Sequence, residues 1–454
     1  MIRGTSRLDH DDIQGNILRG YGFRAVQYVF VHVENEEAGR QWLAELIDPV
    51  TSDAEWVEGK PEYAVNVAVT AAGLKALGVP ESYRKTFGTA FLEGPRARAA
   101  SLGDVGPSDP ARWHPGLGDE TAHVLVTVNA RRPEALAGYV GALLERIEPS
   151  GRGLSVVHQR RSAMLGTSRD HFGFADGFAQ PHVEDGDTPS TAAWAMAKLR
   201  RGVNPMKPGE FVLGYEDEDR VLPIAPDPPL GDNGTYAVYR DLYQDVAAFR
   251  RFLHETGPQL PGGEEMLAAK IVGRWRDGTP MAVSPDRPDE RISGDRSRID
   301  DFNYSGDPDG YRCPLGSHIR RTNPRDALGW GDVRSKRHRI IRRGMPYGDP
   351  LPEGVLDDDK NERGLAFVCF NADIERQFET IQRQWCNDGN IFGLGRDRDF
   401  LLGGPEGEGK MTIQGHRPVF LSPPLPFVQT RGAEYLFFPG LDALRALAAG
   451  FAVT

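Results

Sequence analysis

Two stretches of this chain collect residue types that can do chemistry, and both read as loops. In Asp170-His171-Phe172-Gly173-Phe174-Ala175-Asp176-Gly177-Phe178, the Asp176 carboxylate stands between small residues and aromatics, where a glycine-rich backbone can approach a flat ligand closely. In Cys313-Pro314-Leu315-Gly316-Ser317-His318-Ile319-Arg320-Arg321-Thr322-Asn323-Pro324-Arg325, a histidine sits among turn residues and is followed by three arginines. Taken singly, each has a plainer reading: Asp176 as a turn residue accepting from nearby backbone N–H groups, and His318 as a hydrogen-bonded loop histidine. The basic run Arg334-Ser335-Lys336-Arg337-His338-Arg339-Ile340-Ile341-Arg342-Arg343 offers a solvated face or a site for a few discrete anionic groups. Asp301-Phe302-Asn303-Tyr304-Ser305-Gly306 begins like a calcium loop, but its twelfth position is Arg312 instead of a bidentate glutamate, so calcium is not expected there. The GxSxG, HExxH and GxxxxGK[ST] patterns are absent, which removes the usual markers of an α/β-hydrolase, a zincin and a P-loop enzyme.

The elements that must position these loops recur. A short β-rich run leading into an amphipathic helical pattern occurs four times. Val26 to Val33 leads to Trp42, Leu43, Leu46 and Ile47; His123 to Val128 leads to Leu136, Tyr139, Val140, Leu143, Leu144 and Ile147. Thr235 to Tyr239 leads to Val246, Phe249, Phe252 and Leu253; Leu365 to Phe370 leads to Ile374, Phe378, Ile381 and Trp385. Two units fall in each half, too far apart for a solenoid, with a further strand over Tyr63 to Val69. The pattern predicts an α+β fold of two tandem ferredoxin-like domains, each a βαββαβ unit with an antiparallel sheet. The proline-rich stretch Leu222 to Gly234 places the boundary, giving domains 1–228 and 229–454. Residues 257–345 read as a long irregular connection, and connections of that length usually carry function.

The 454 residues suit two or three domains, and 39% hydrophobic with 26% charged residues is ordinary for a globular chain. A net charge of −11 opposes general affinity for nucleic acid or anionic membranes. Cys313, Cys369 and Cys386 are odd in number and contain no CxxC, so a disulfide framework and a zinc ribbon are both unsupported. No apolar run reaches the ~18 residues of a membrane span, and Met1 to Gly20 shows no export pattern, so the expected location is the cytoplasm.

In combination the motifs change the odds for Asp176 and His318. Asp12-Ile13-Gln14-Gly15-Asn16-Ile17-Leu18, Gly173-Phe174-Ala175-Asp176-Gly177, Gly316-Ser317-His318-Ile319-Arg320-Arg321 with Asn323-Pro324-Arg325, Ile341-Arg342-Arg343-Gly344-Met345-Pro346-Tyr347-Gly348 and Arg363-Gly364-Leu365-Ala366-Phe367-Val368 occur in this order. Over nearly its whole length the chain resembles the dye-decolorizing peroxidases, haem enzymes built from two ferredoxin-like domains in a dimeric α+β barrel-like arrangement, with the haem in the C-terminal half. GxxDG alone is too short to be specific; the five segments together are specific.

The resemblance implies that His318 is the proximal ligand of haem b iron, a role neutral imidazole commonly fills. A carboxylate accepting from the other ring nitrogen would strengthen the ligand, and Asp399 matches the family's later acidic position, with Asp397 the alternative. The family places the GxxDG aspartate and an arginine on the opposite face, here Asp176 and Arg342, with Gly177 beside them. Asp176 would move the peroxide proton, and Arg342 would stabilise charge as the O–O bond breaks. Arg343 is the rival of Arg342, whose plainer reading is a propionate partner. Leu365 and Phe367 alternate onto one strand face and would line the distal pocket, or simply a core. Arg325 is a further propionate candidate.

The implied activity is reduction of hydrogen peroxide with one-electron oxidation of small aromatic reductants such as dyes and phenols. Donors too large for a buried pocket would be oxidised at the surface through aromatics, for which Trp385, Tyr347 and Tyr304 are candidates. Two other readings compete: a haem-binding or haem-transfer protein with little turnover, and a cofactor-free α+β interaction module. The acidic insert Leu356 to Glu362 resembles the longer-loop intracellular bacterial subgroup and reads as a solvated loop in preference to a manganese site. Leu441 to Thr454 reads as a short helix without a docking tail. The sequence leaves monomer and homo-oligomer both open.

Overall fold

The computed structural model describes residues 7–147, 153–167, 169–185, 205–403, 410–422 and 426–451. Its strands are β1 (Ala25–Val33), β2 (Tyr63–Val69), β3 (Val124–Ala130), β4 (Leu154–Ala163), β5 (Thr235–Gln244), β6 (Ile341–Arg342), β7 (Met345–Tyr347), β8 (Gly364–Asn371), β9 (Met411–Ile413), β10 (Val419–Leu421) and β11 (Val428–Phe438). The helices that cover them are α1 (Glu36–Ile47), α2 (Pro133–Glu145), α3 (Val246–Thr256), α4 (Gly263–Val272), α5 (His318–Thr322) and α6 (Leu441–Ala449).

The four repeated runs are β1, β3, β5 and β8. In the first half the strand order is β4-β1-β3-β2, and in the second β11-β5-β8 followed by β6, with β7 also on β8. Both are the antiparallel order of a βαββαβ unit, with two short strands in place of one in the second half. The two sheets join edge to edge into one of nine strands. Their seam is a single pair, Val69 opposite Phe437. Gln14 bridges it: its carboxamide accepts from Val67 N–H at 2.9 Å and donates to Val67 and Pro439 carbonyls at 2.7 and 2.9 Å. The far ends also approach, since β4 lies alongside β7, which curls the sheet into a barrel.

Side chains alternate across each strand, so β1 feeds two cores. Val26, Tyr28 and Phe30 point into the barrel with Leu125, Tyr239, Phe370 and Phe438. Val29 and Val31 point outward beneath Trp42, Leu43 and Leu46 of α1 and Leu136 and Leu143 of α2. In the second half α3 and α4 cover the outer face through Phe249, Phe252, Leu253, Leu267 and Ile271. The α1 and α3 starts are capped by Asn35 and Asp245, which accept from Ala38 and Ala248 N–H.

Two expectations need correction. Residues 257–345 contain α4, closed at its C-terminus by Gly273 at φ +94°, the left-handed cap that glycine adopts without a Cβ penalty. The fourth helical pattern is wound as two π-helical segments, Glu375–Glu379 and Ile381–Cys386. Its apolar spacing is helical, but Glu379 N–H reaches back to Ile374 and Asn387 N–H to Gln382, and the Thr380 hydroxyl also donates to the Glu375 carbonyl at 3.0 Å. Such side-chain competition widens the turn.

Candidate active site

The Asp176 loop belongs to the connection between β4 and β5 but docks on the second half. Gly173 turns at φ +92°; the Asp170 carboxylate accepts from Phe174 N–H at 2.8 Å, and Ala175 N–H donates to the Arg276 carbonyl at 2.9 Å. This delivers Asp176 to Arg342 on β6, whose Nη1 lies 3.3 Å from Oδ1 and 3.5 Å from Oδ2. Arg342 Nη2 also donates to the Phe178 carbonyl at 2.8 Å. Burial pushes the Asp176 pKa up, but the Arg342 charge and the Gly177 N–H outweigh it and hold the carboxyl below its ordinary range.

His318 opens α5. Its Nδ1 is 2.7 Å from Asp399 Oδ2, and Asp399 is fixed in turn by Leu401 and Leu402 N–H groups, each 3.0 Å from Oδ1. Burial works against a charged imidazole, yet the Asp399 charge and hydrogen bond raise the His318 pKa above its usual value. Asp397 is turned away, accepting from Thr412 N–H at 2.7 Å and pairing with Lys410. Asp399 is thus the residue that meets His318.

Two cavities meet at this place. One, about 300 Å³, is lined by His318, Asp176, Arg342, Leu365, Phe367 and Arg325 together with Leu242, Val272, Phe378 and Ile381. The other, about 1040 Å³, fills the barrel interior between Tyr28, Leu125, Thr127 and Phe370 and reaches Asp176, Gly177, Arg342, Leu365 and Phe367. Gly177 faces this second cavity only. Arg325 lines the first, but its guanidinium pairs with Asp300, donates to the Asp300 and Phe302 carbonyls at 3.0 Å each and stacks on Phe302.

The basic run is not a solvated face. Arg337 pairs with Glu210, Asp217 and Asp219. Arg339 lines the smaller cavity, donates to the Ala179 carbonyl at 2.7 Å and is pushed down to about 10 by burial. Arg343 binds the Asn16, Ile17 and Leu18 carbonyls, leaving Arg342 as the partner of Asp176. The proposed surface aromatics are also corrected: Trp385, Tyr347 and Tyr304 are 1%, 3% and 1% exposed, because each fills a core, where an aromatic lowers the free energy most. Sequence reasoning missed Arg240, Arg339 and Gln180. Arg339 lay in a run already marked as basic, whereas Arg240 and Gln180 carry no local signal.

Two family models match the chain: DyP dimeric alpha+beta barrel domain over residues 12–160 and Dyp-type peroxidase, C-terminal, over 214–391. A dye-decolorizing peroxidase of Mycena epipterygia is 30% identical across 97% of this chain and 87% of its own length. The multifunctional dye peroxidase DyP2 of an Amycolatopsis species is 30% identical across 96% and 95%. The chain belongs to the dye-decolorizing peroxidase family. A solved structure of an ancestral D-type dye-decolorizing peroxidase superposes with a TM-score of 0.86 at 30% identity, covering 98% of this chain and all of that one.

Membership makes this a haem-dependent peroxidase, an oxidoreductase. The smaller cavity fits haem. Its wall combines apolar side chains such as Leu242, Val272, Phe378 and Ile381 with the arginines Arg240, Arg325, Arg339 and Arg342, the His318 ring lines it, and among the described residues the buried Arg240 Nε and Asn323 Oδ1 on that wall have no partner. Among the described residues no helix is long and apolar enough to cross a membrane.

Proposed function

We propose that Asp176 and Arg342 perform peroxide cleavage over a haem b held by His318. The observation that carries this reading is one cavity lined by both a carboxylate–guanidinium pair and a carboxylate-backed histidine. Haem, when bound, supplies the iron that exchanges electrons with peroxide and with the organic donor. Haem b is favoured over a covalently attached haem because the chain has no CxxCH segment.

The chain's own residues then divide the work. Asp176, ionised and held low by Arg342, accepts the proton of the peroxide oxygen that enters the site and returns it to the departing oxygen. Arg342, whose charge does not titrate, faces the negative charge that develops as the O–O bond breaks. Leu365 and Phe367 keep the junction of the cavities apolar and narrow. Asp399 fixes the His318 tautomer so that Nε2 points its lone pair outward. The balance is one hydrogen peroxide and two reduced donors giving two waters and two one-electron-oxidised donors. Small phenols suit the cavity. Cytoplasmic residence belongs to the same proposal, supported by three buried free cysteines, Cys313, Cys369 and Cys386. The domain division at residues 228 and 229 is also proposed, with the Asp176 loop contributed by the first domain.

An ultraviolet-visible spectrum tests the reading. The purified protein supplied with haem is expected to show a Soret band that shifts within seconds of one equivalent of hydrogen peroxide. Slow bleaching without a shift would return the haem-carrier reading.

A further inference from the structure

Asp176 and Arg342 come from segments far apart in the chain, so their contact requires something that fixes one backbone against the other. β6 ends the sheet. On its inner side Ile341 and Arg342 lie opposite Phe370 and Cys369 of β8, and Arg343 N–H donates to the Val368 carbonyl at 2.8 Å. Alternation along the strand therefore turns the Arg342 N–H and C=O outward, to the side where an edge strand has no neighbour.

Gln180 occupies that side. Its Oε1 accepts from Arg342 N–H at 3.1 Å, and its Nε2 donates to the Arg342 carbonyl at 3.2 Å. One carboxamide thus does what one residue of a neighbouring strand would do. The bonding is returned: the Arg342 guanidinium holds the Asp176 carboxylate and the Phe178 carbonyl, and Arg339 holds the Ala179 carbonyl. Ala179 sits at φ +58°, a left-handed conformation unfavourable for a residue with a Cβ, and these bonds on either side keep it there. Loop 176–180 and Arg342 form a closed ring in which each holds the other's backbone. Gln14 makes the same two-point bond to Val67 at the β2–β11 seam, away from His318.

We propose that Gln180 is a positioning residue for peroxide cleavage, its carboxamide setting where Arg342 stands against Asp176. The proposal rests on the peroxidase reading above. Glutamine is specific for this position because it both accepts and donates. Glutamate keeps the acceptor but places a carboxylate against the Arg342 carbonyl, and leucine of similar size offers neither bond.

The groups that face Asp176 are Arg342 on β6, His318 on α5, Arg274 just after α4, and Asp170 on its own loop. If Gln180 is removed, the Arg342 contribution weakens and Asp176 takes up its proton at higher pH. The experiment compares haem-loaded wild type, Gln180→Leu, Gln180→Glu and Gln14→Leu by stopped flow with hydrogen peroxide, by cyanide titration across pH 3–8, and by KM for 2,6-dimethoxyphenol. Cyanide enters as HCN and must also give its proton to a base, so it reads Asp176 without turnover.

Gln180→Leu is expected to slow the peroxide reaction at least tenfold and to move the acid limb of both the peroxide rate and cyanide binding upward in pH. The phenol KM should stay within twofold. Gln180→Glu should fall between, and Gln14→Leu should leave both limbs in place. An unmoved acid limb in Gln180→Leu, with or without a general loss of rate, overturns the proposal. Should that variant fail to take up haem, Gln180→Glu decides by the same limbs. A wild type inert to peroxide would sink the peroxidase reading instead, while the cyanide limb still decides the role of Gln180.

Discussion

At the scale of single residues, the Asp176–Arg342 contact sets the pH range of the chemistry. Asp176 works as a base only when ionised, and Arg342 holds its pKa below the ordinary carboxylate value of ~3.9. The active form is therefore present above that lowered pKa and is lost as pH falls through it. The second-order rate with peroxide should hold to below about pH 4 in the wild type, and Arg342→Leu should move its acid limb upward. Asp176→Asn should keep the haem spectrum and slow the peroxide reaction by about 10²–10⁴-fold, the usual worth of a positioned general base; stopped-flow absorbance measures it. Both residues, with His318, could be picked out as candidates because their motifs are local, whereas the choice between Asp399 and Asp397 rested on the contact of Asp399 with His318. The electron-transfer candidates Trp385, Tyr347 and Tyr304 were not legible in this way, since an aromatic in a loop pattern says nothing of its depth. Among the described residues the most exposed tryptophan is Trp330, 80% accessible.

Among the elements, β11 carries the least expected group. Glu434 is buried on it and accepts from Gly118 N–H, and burial pushes its pKa up to about 8. A carboxyl whose pKa is higher folded than unfolded binds its proton more tightly in the native state, so stability is greatest at low pH and falls as pH rises toward 8. Glu434→Gln keeps an acceptor for Gly118 and removes the titration. Its Tm should match wild type at pH 5 and exceed it at pH 9; equal Tm values at pH 9 would show that Glu434 is not protonated in the fold. The start of β8 is equally constrained: a Cβ on Gly364 would lie 1.9 Å from the Leu242 carbonyl oxygen. Gly364→Ala should therefore loosen the β5–β8 pairing that positions Leu365 and Phe367, at a cost of about 1–3 kcal/mol in urea unfolding.

For the whole molecule, closure of the barrel depends on charge as well as apolar packing. Arg160 on β4 lies 2.7 Å from the fully buried Asp241 on β5 and stacks 4.1 Å over the Tyr347 ring on β7. Burial pushes the Asp241 pKa up despite Arg160, so removing the arginine leaves a carboxylate with little to compensate it. Arg160→Ala should lower unfolding stability by about 3–5 kcal/mol, measured by urea titration.

What the sequence offered by itself was periodic or local: the strand-helix units, their assignment to two βαββαβ sets, and, through the resemblance of short motifs, the candidates Asp176, His318 and Arg342, with Asp399 and Asp397 left as alternatives. Periodicity reports which face of an element is buried, and a short motif reports chemistry within one loop. Contacts between distant segments lie outside both. Joining of the two sheets through Val69, Phe437 and Gln14, π-winding after β8, the ion pairs and carbonyl contacts made by the basic run, and the pairing of Gln180 with the open edge of β6 were decided only by the tertiary structure. Each depends on a backbone group or a charge that its own element leaves unpaired, and the residue that satisfies it can come from anywhere in the chain.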